Sequence, residues 1–265
     1  MIIHNFDPVL VDFGIIQIRW YSLSYIFGIL IGWWYGKIIL KKQVSEEDYK
    51  IYLPKFDDLI GYLIIGIIVG GRLGYVFVYN PNFYLENILE IFKIWNGGMS
   101  FHGGLIGVAV SSYLFSKKNN LNYKIYFDTI SSVAPIGIFF GRISNFINGE
   151  LYGVPTQKSW GVIFPNVDSN ARHPSQIYEA LLEGLLLFII LNGLIFLKKN
   201  QIGLISGIFL IFYGVFRIFC EQFREPDTHI GYIFNYFSVG SALSIGMVLF
   251  GIFFLKKVLN YEKNK

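Results

Sequence analysis

Residues 126–153 read YFDTISSVAPIGIFFGRISNFINGELYG and join an apolar run of transmembrane length to Arg142, Asn145 and Glu150 at its end. A helix that spans a bilayer needs about 20 mostly apolar residues. An ionisable group within hydrocarbon costs about 2.5 to 3.5 kcal/mol on insertion scales, so Arg142 is expected to have a partner and to face the protein interior or a polar cavity. The alternative is an arginine at a helix end whose charged head reaches the interface.

The chain has the composition of a membrane protein. Of its 265 residues, 54% are hydrophobic and 15% are charged, and the mean hydropathy is +0.49. A soluble domain has about 45 to 50% apolar and about 25% charged residues. We therefore predict an all-α polytopic protein that forms a single membrane-embedded domain over residues 1–265. Seven apolar runs predict seven transmembrane helices, at residues 21–40, 59–79, 101–115, 126–147, 177–197, 203–222 and 236–255.

The third apolar run is short and rich in glycine, with Gly103, Gly104 and Gly107. Small residues allow a membrane helix to approach its neighbours closely, and interrupted helices occur where the backbone lines a cavity. We expect one of these two arrangements for this run.

The distribution of lysine predicts the orientation in the membrane, because cytoplasmic loops collect positive charge. Lysines cluster after spans one, three, five and seven, whereas the loops on the other side mix basic and acidic residues. The N-terminus is therefore predicted to lie outside and the C-terminus in the cytoplasm. The lysines concerned are Lys37, Lys41, Lys42, Lys50, Lys55, Lys117, Lys118, Lys124, Lys198, Lys199, Lys256, Lys257, Lys263 and Lys265.

Arginines from three different spans fall at one predicted depth, in the outer half of the membrane: Arg72, Arg142 and Arg217. The guanidinium group is a planar, permanently charged fork that suits phosphate and carboxylate. Three such groups at one depth predict an anion site.

The alternative to an anion site is a set of interior ion pairs that hold the helices together, since buried charge is normally paired. Arg217 and Glu221 are four residues apart on one helix face, and Glu179 and Glu183 are stacked in the same way. In this interpretation Glu221 neutralises Arg217, and either Glu150 or Glu179 neutralises Arg142.

Residues 141–153, GRISNFINGELYG, closely resemble the signature of bacterial prolipoprotein diacylglyceryl transferases, G-R-x-small-N-F-apolar-N-x-E-x-x-G. Ser144 stands where the family usually has glycine or alanine, and it is small enough to preserve close helix approach. Five further stretches follow the family's order along nearly the whole chain: RWYSLSY (19–25), GGRLGY (70–75), GGMSFHGG (97–104), RHPSQIYEA (172–180) and REPD (224–227).

The resemblance implies a multi-pass catalytic domain in the bacterial inner membrane, with its active site in the outer half and with no metal or other cofactor. Its partners would be the lipid bilayer, phosphatidylglycerol and the signal peptide of a prolipoprotein, and no nucleic acid. It would transfer a diacylglyceryl group from phosphatidylglycerol to the thiol of the lipobox cysteine. The family's functional positions correspond to Tyr25, His102, Arg142, Asn145, Glu150, Gly153, Arg217 and Glu221.

Within this interpretation Arg142 is the main contact of phosphatidylglycerol, and Asn145, Gly153 and Arg217 complete its binding site. A thiol with a pKa near 8.5 is mostly protonated at neutral pH, so His102 is the candidate base. Arg142, Arg217 and Asn145 would stabilise the leaving phosphate.

The remaining candidates have supporting roles and simpler alternatives. Ionised Glu150 and Glu221 only accept hydrogen bonds, so they are expected to orient the arginines or the histidine. Gly153 would allow a positive φ or a close approach to the headgroup, or it is an ordinary loop glycine. Tyr25 would bond the headgroup, or it is one of the aromatic residues common at membrane interfaces.

Two other functional classes remain open from the residues alone. An anion transporter would also gather arginines in a membrane cavity, but it would need polar access from both faces. A seven-span receptor would have an external cationic pocket without chemistry. The predicted last span contains no lysine that could form a Schiff base with retinal.

Overall fold

The computed structural model describes residues 2–14, 17–197, 201–225, 232–233 and 237–263. Of the residues used in the predictions above, Lys198, Lys199, Pro226, Asp227, Tyr236 and Lys265 lie outside the described residues.

Eight helices make up most of the described chain. They are α1 (Trp20–Gln43), α2 (Glu46–Val78), α3 (Pro81–Glu86), α4 (Phe101–Lys118), α5 (Tyr123–Asn148), α6 (Ser175–Leu197), α7 (Leu204–Glu221) and α8 (Val239–Lys263). Short 3₁₀ turns at Ile88–Phe92 and Ile94–Asn96 connect α3 to α4. The strands are β1 (Ile2–Ile3), β2 (Val9–Asp12), β3 (Gln17–Arg19), β4 (Val162–Ile163), β5 (Ala171–Arg172), β6 (Tyr232–Ile233) and β7 (Phe237–Ser238).

Six of the described helices are long and apolar enough to cross a membrane: α1, α2, α5, α6, α7 and α8. The prediction of an all-α polytopic membrane protein is confirmed. The third predicted span is helical as α4, with 18 residues, and it is not among these six.

Helix α2 begins earlier than the apolar run predicts, at Glu46 instead of residue 59. The Ser45 hydroxyl accepts a hydrogen bond of 3.1 Å from the backbone N–H of Asp48, which caps the helix. Acidic residues in the first turn are favourable near the positive end of the helix dipole. Lys50 and Lys55 therefore lie on the helix itself and not in a loop. The apolar run did not predict this, because hydropathy does not detect a polar extension of a helix.

The chain divides into two compact units, Leu40–Phe127 and Met1–Ile39 with Asp128–Lys265. In the smaller unit, α2 and α4 pack through glycines. A Cβ on Gly74 would lie 2.7 Å from the Cα of Gly103, and a Cβ on Gly70 would lie 2.8 Å from the Cα of Gly107. The Gly-rich run thus adopts the first of its two expected arrangements, close packing against a neighbouring helix.

Arg72, on α2, does not offer its guanidinium to an anion. All five of its N–H groups donate to backbone carbonyls of residues 90–98, including those of Ile91 at 2.9 Å, Glu90 at 2.6 Å and Lys93 at 3.2 Å. Its place in the predicted three-arginine anion site is therefore wrong. Arg72 instead holds the irregular segment before α4, whose carbonyls have few helical partners of their own.

In the larger unit, the segment that joins α5 to α6 folds back on itself. Strand β4 pairs antiparallel with β5, with Val162 opposite Arg172, and the N-terminal β1 runs parallel beside β4. The start of α7 is fixed to α5, because the Asp128 carboxylate accepts from the backbone N–H groups of Gly203 at 2.6 Å and Ser206 at 2.8 Å. These connections set the relative positions of α5, α6 and α7, which carry the site described next.

Candidate active site

The end of α5 presents Glu150 between two residues in the left-handed region, Gly149 with φ of 66° and Leu151 with φ of 55°. The Glu150 carboxylate accepts from the Asn145 amide at 2.7 Å and from the Asn148 amide at 3.3 Å. The chain therefore turns back on the helix that precedes it. Pairing of Arg142 with Glu150, one of the two partners considered from the sequence, is wrong because this carboxylate is directed at Asn145.

Arg142 lies one turn before Asn145 and pairs with two carboxylates of α6. Its Nη1 is 3.2 Å from Glu179 and its Nη2 is 3.0 Å from Glu183, and both carboxylates are fully buried. The Arg142 side chain remains 13% exposed. Pairing with Glu179, the second partner considered, is confirmed, and Glu183 is an additional partner.

Arg217 is bound by carboxylates from two helices. Its Nη1 contacts Glu179 and lies 3.4 Å from Glu183, and its Nη2 contacts Glu221 one turn along α7. The predicted pairing of Arg217 with Glu221 is confirmed. Arg224 joins the same group, 3.2 Å from Glu221.

We call these six residues the ion cluster: Arg142, Arg217, Arg224, Glu179, Glu183 and Glu221. Within the described residues, its three positive and three negative side chains give it no net formal charge. Charges this far from water are tolerated because each has an opposite partner within hydrogen-bond distance. The roles of Glu183 and Arg224 were missed from the sequence, although the four-residue spacing of Glu179 and Glu183 within an apolar span was a visible signal.

The carboxylates reach the arginines because α6 and α5 approach closely. A Cβ on Gly184 would lie 2.7 Å from the Cβ and 2.9 Å from the Cα of Phe139, one turn before Arg142. The turn Ala180–Leu186 is π-helical, a widened geometry that is frequent at functional sites. Glycine at position 184 thus permits the contact on which the pairing of Arg142 with Glu183 depends.

Tyr25 joins the neighbouring polar group through Tyr21, which was not among the predicted site residues. Its hydroxyl is 3.1 Å from that of Tyr21, and Tyr21 in turn lies beside Asn145 and Glu150. Tyr21 and Tyr25 are four residues apart on α1, which was the available signal. Tyr25 is 54% exposed, as expected of an aromatic residue that faces lipid or a ligand.

Gly153 lies where two backbone segments meet. Its N–H donates to the carbonyl of His173 at 3.0 Å, and a Cβ at this position would be 2.5 Å from the carbonyl oxygen of Phe223. Its φ is not positive. Of the reasons considered for this glycine, a positive φ is wrong, and close approach to a headgroup stays a prediction; the close approach seen in the structure is to the protein's own backbone.

Arg172 links the loop that contains Gly153 to the segment that follows α7. Its guanidinium donates to the Gly153 carbonyl at 3.0 Å, to Asp168 at 2.6 Å and to Glu225 at 2.9 Å. The hydrogen bond from Arg172 to Asp168 stabilises the ionised carboxylate and lowers the pKa of Asp168 to about 2.

We expect the pairing of Asp168 to stabilise the fold above about pH 4 and to be lost as the pH falls toward 2, because the pKa is lowered in the folded state only. Asp168→Asn should therefore lower the Tm at pH 6, and the difference from the unmodified chain should shrink below pH 4. Thermal unfolding in detergent across this range measures it. Asp58→Asn, at an exposed helical carboxylate, is the control. A difference that is constant with pH would contradict the assignment.

His102, the candidate base, belongs to the smaller unit. It is the second residue of α4. The residue that caps this helix is Ser100, whose hydroxyl accepts a hydrogen bond of 3.2 Å from the N–H of Gly103. His102 is half-buried, with its Nε2 atom buried, and its ring makes an edge contact with the ring of Phe101. Within the larger unit, the structure brings Arg142, Arg217 and Glu221 together, with Asn145, Glu150 and Tyr25 in the adjoining network.

Comparison with known proteins extends the likeness to almost the whole chain. The family model for prolipoprotein diacylglyceryl transferase matches residues 8–256. A phosphatidylglycerol–prolipoprotein diacylglyceryl transferase of Rickettsia bellii (strain OSU 85-389) is 51% identical over 256 residues, which cover 96% of this chain and 95% of that protein. The enzyme of that name from Rickettsia typhi is 51% identical over 259 residues, which cover 96% of this chain and 98% of the relative. The chain therefore belongs to the prolipoprotein diacylglyceryl transferase family.

Proposed function

We infer that this chain transfers the diacylglyceryl group of phosphatidylglycerol to the thiol of the lipobox cysteine of prolipoproteins, the first step of bacterial lipoprotein maturation. The main support is sequence identity, because about half of all residues are identical to those of relatives named for this reaction. Arg142, a charged residue in a membrane protein whose side chain is 13% exposed beside fully buried carboxylates, supports a site for an anionic lipid headgroup.

In this reaction a carbon–sulfur bond forms between the cysteine and the glyceryl carbon, and the bond from that carbon to the phosphate oxygen breaks. Glycerol phosphate leaves, and the thiol proton passes to a base. Charge develops on the leaving phosphate. We assign its stabilisation to Arg142 and Arg217, with the Asn145 amide as a further donor. Gly153 and Tyr25 complete the proposed headgroup site.

The two glutamates among the predicted functional residues act on other side chains and not on substrate. Glu150 accepts from Asn145 at 2.7 Å. Glu221 binds Arg217 and Arg224 and also accepts from the Ser238 hydroxyl at 2.8 Å. These contacts support orienting roles for both, because each carboxylate already holds a donor that the chemistry needs.

The proposed topology has seven spans in a single catalytic domain, with α4 as the third span. The N-terminus lies outside, the C-terminus lies in the cytoplasm of a bacterium, and the active site lies in the outer half of the inner membrane. Lysines in the last turns of α1 and α4 support this orientation, since both helices would end on the cytoplasmic side.

A transfer assay in vesicles tests the function. Purified chain is incorporated into vesicles that contain phosphatidylglycerol, a synthetic lipobox peptide is added, and the thioether product is identified by mass. Uptake of organic anions without product would instead indicate a transporter. Binding of a ligand with neither uptake nor product would indicate a receptor.

His102→Gln tests the identity of the base. We expect the activity of the unmodified enzyme to fall at acid pH, because an imidazolium cannot accept the thiol proton. In the variant the rate should be lower by about 10²-fold or more, and the fall in activity at acid pH should be absent. The pH dependence of kcat/KM is the measurement. A profile of unchanged shape would reject His102 as the base.

A further inference from the structure

We propose that Glu183 sets the affinity of the enzyme for phosphate groups: as a counter-ion shared by Arg142 and Arg217, it keeps both phosphatidylglycerol and the released glycerol phosphate weakly bound. This inference rests on the proposed function, in which these two arginines bind the headgroup. Glu183 acts through the arginines and is a positioning residue.

The Glu183 carboxylate bridges Arg142 and Arg217 through its two oxygens. One oxygen lies 3.0 Å from Nη2 of Arg142, and the other lies 3.4 Å from Nη1 of Arg217. A phosphodiester likewise presents two anionic oxygens from one centre. Glu183 therefore places negative charge where the two guanidinium groups would otherwise attract the headgroup most strongly.

Glu183 is distinguished from the other two carboxylates of the ion cluster by how it is held. Glu179 and Glu221 each make a close contact with Arg217, whereas Glu183 is the more distant of the partners of Arg217. Removal of Glu183 thus leaves Arg217 with two carboxylates. Its principal effect should be on the charge of the cluster.

The charge balance of the cluster predicts the sign of the effect. With Glu183 ionised, the three arginines face three carboxylates among the described residues; glutamine at this position removes one negative charge and makes the cluster more positive by one. Coulomb interactions between partly buried groups are far stronger than in water. An anion should therefore bind more tightly when Glu183 is neutral.

A neutral cluster is useful to a transferase because uniform tight binding does not accelerate chemistry. The product glycerol phosphate carries more negative charge than the phosphodiester of the lipid. A site with excess positive charge would retain this product and slow each turnover. Glu183 limits that retention.

The test uses the full chain in nanodiscs that contain phosphatidylglycerol. We measure KM for the lipid, kcat, and inhibition by added glycerol phosphate. In Glu183→Gln the Ki of glycerol phosphate and the KM should each fall about tenfold, and kcat should fall as product release slows. A loss of packing alone would not increase affinity for an anion.

Matched variants keep the test decisive. Glu183→Asp retains the charge but withdraws it from Arg142, so its Ki should lie between those of the unmodified and glutamine forms. Glu183→Asp is also the variant to measure if Glu183→Gln does not fold. Glu90→Gln, which removes a half-buried carboxylate paired with Lys93 in the smaller unit, should leave KM and Ki unchanged.

The outcomes separate this inference from the proposed function. Suppose that the enzyme is active and that its binding of glycerol phosphate depends on Arg142. Unchanged or weaker binding of glycerol phosphate in the Glu183 variants then overturns only the role of Glu183. The proposed function is overturned if the unmodified chain forms no thioether product and if Arg142→Ala binds glycerol phosphate as well as the unmodified chain does.

Discussion

Arg142→Ala is expected to lower kcat/KM for diacylglyceryl transfer by about 10²- to 10³-fold. The Arg142 side chain is 13% exposed, the most of the three arginines in the ion cluster, and its guanidinium is assigned to the developing charge on the leaving phosphate. Loss of one such donor typically costs about 3 to 4 kcal/mol in the barrier. The rate of thioether formation on a lipobox peptide, at several mole fractions of phosphatidylglycerol, measures the effect.

Arg142→Lys is the matched control. Lysine keeps the positive charge and can still pair with Glu179 or Glu183, but it lacks the planar fork that contacts both. Its activity should fall between those of the unmodified enzyme and the alanine variant. Near-normal turnover in Arg142→Ala would show that Arg142 is not a phosphate contact.

Arg217→Ala is expected to produce the largest loss of stability, about 3 to 5 kcal/mol in the free energy of unfolding. Arg217 is 6% exposed and contacts Glu179, Glu183 and Glu221, which are themselves buried. Its removal leaves two arginines for three carboxylates, and an uncompensated buried charge is costly. Thermal unfolding in detergent, followed by circular dichroism, measures the loss.

A second substitution tests the electrostatic cause of this loss. Arg217→Ala combined with Glu221→Gln restores equal numbers of positive and negative groups in the cluster, so part of the lost stability should return. The double variant should then be more stable than Arg217→Ala alone. If it is less stable, the cost of removing Arg217 comes from lost packing and not from unpaired charge.

The helices and the family could be recognised from the sequence because both signals are local. Apolar runs of about 20 residues correspond to helices in the structure, since every backbone polar group in hydrocarbon must be satisfied within its own segment. The pair Arg217 and Glu221 was also predictable, because four residues along a helix bring two side chains to the same face. Polar helix extensions such as residues 46–58 were missed because the apolar criterion excludes them.

Contacts between helices could not be predicted in the same way. Arg72 and Arg142 look alike in the sequence, each an arginine in an apolar helix. Arg72 is saturated by backbone carbonyls of residues 90–98, whereas Arg142 meets the carboxylates of Glu179 and Glu183. The difference depends on which segment packs against each helix, and no spacing rule contains that information.

The sequence by itself determined that this chain is a helical membrane protein of the prolipoprotein diacylglyceryl transferase family, because hydrophobic length and a contiguous motif are properties of the order of residues. Only the tertiary structure decided which charges neutralise one another. The close approach of Gly184 to Phe139 places Glu183 beside Arg142, and the reversal at Gly149 and Leu151 directs Glu150 to Asn145. Ion pairs act over a few ångströms, so their partners are set by how the helices pack and not by their separation along the chain.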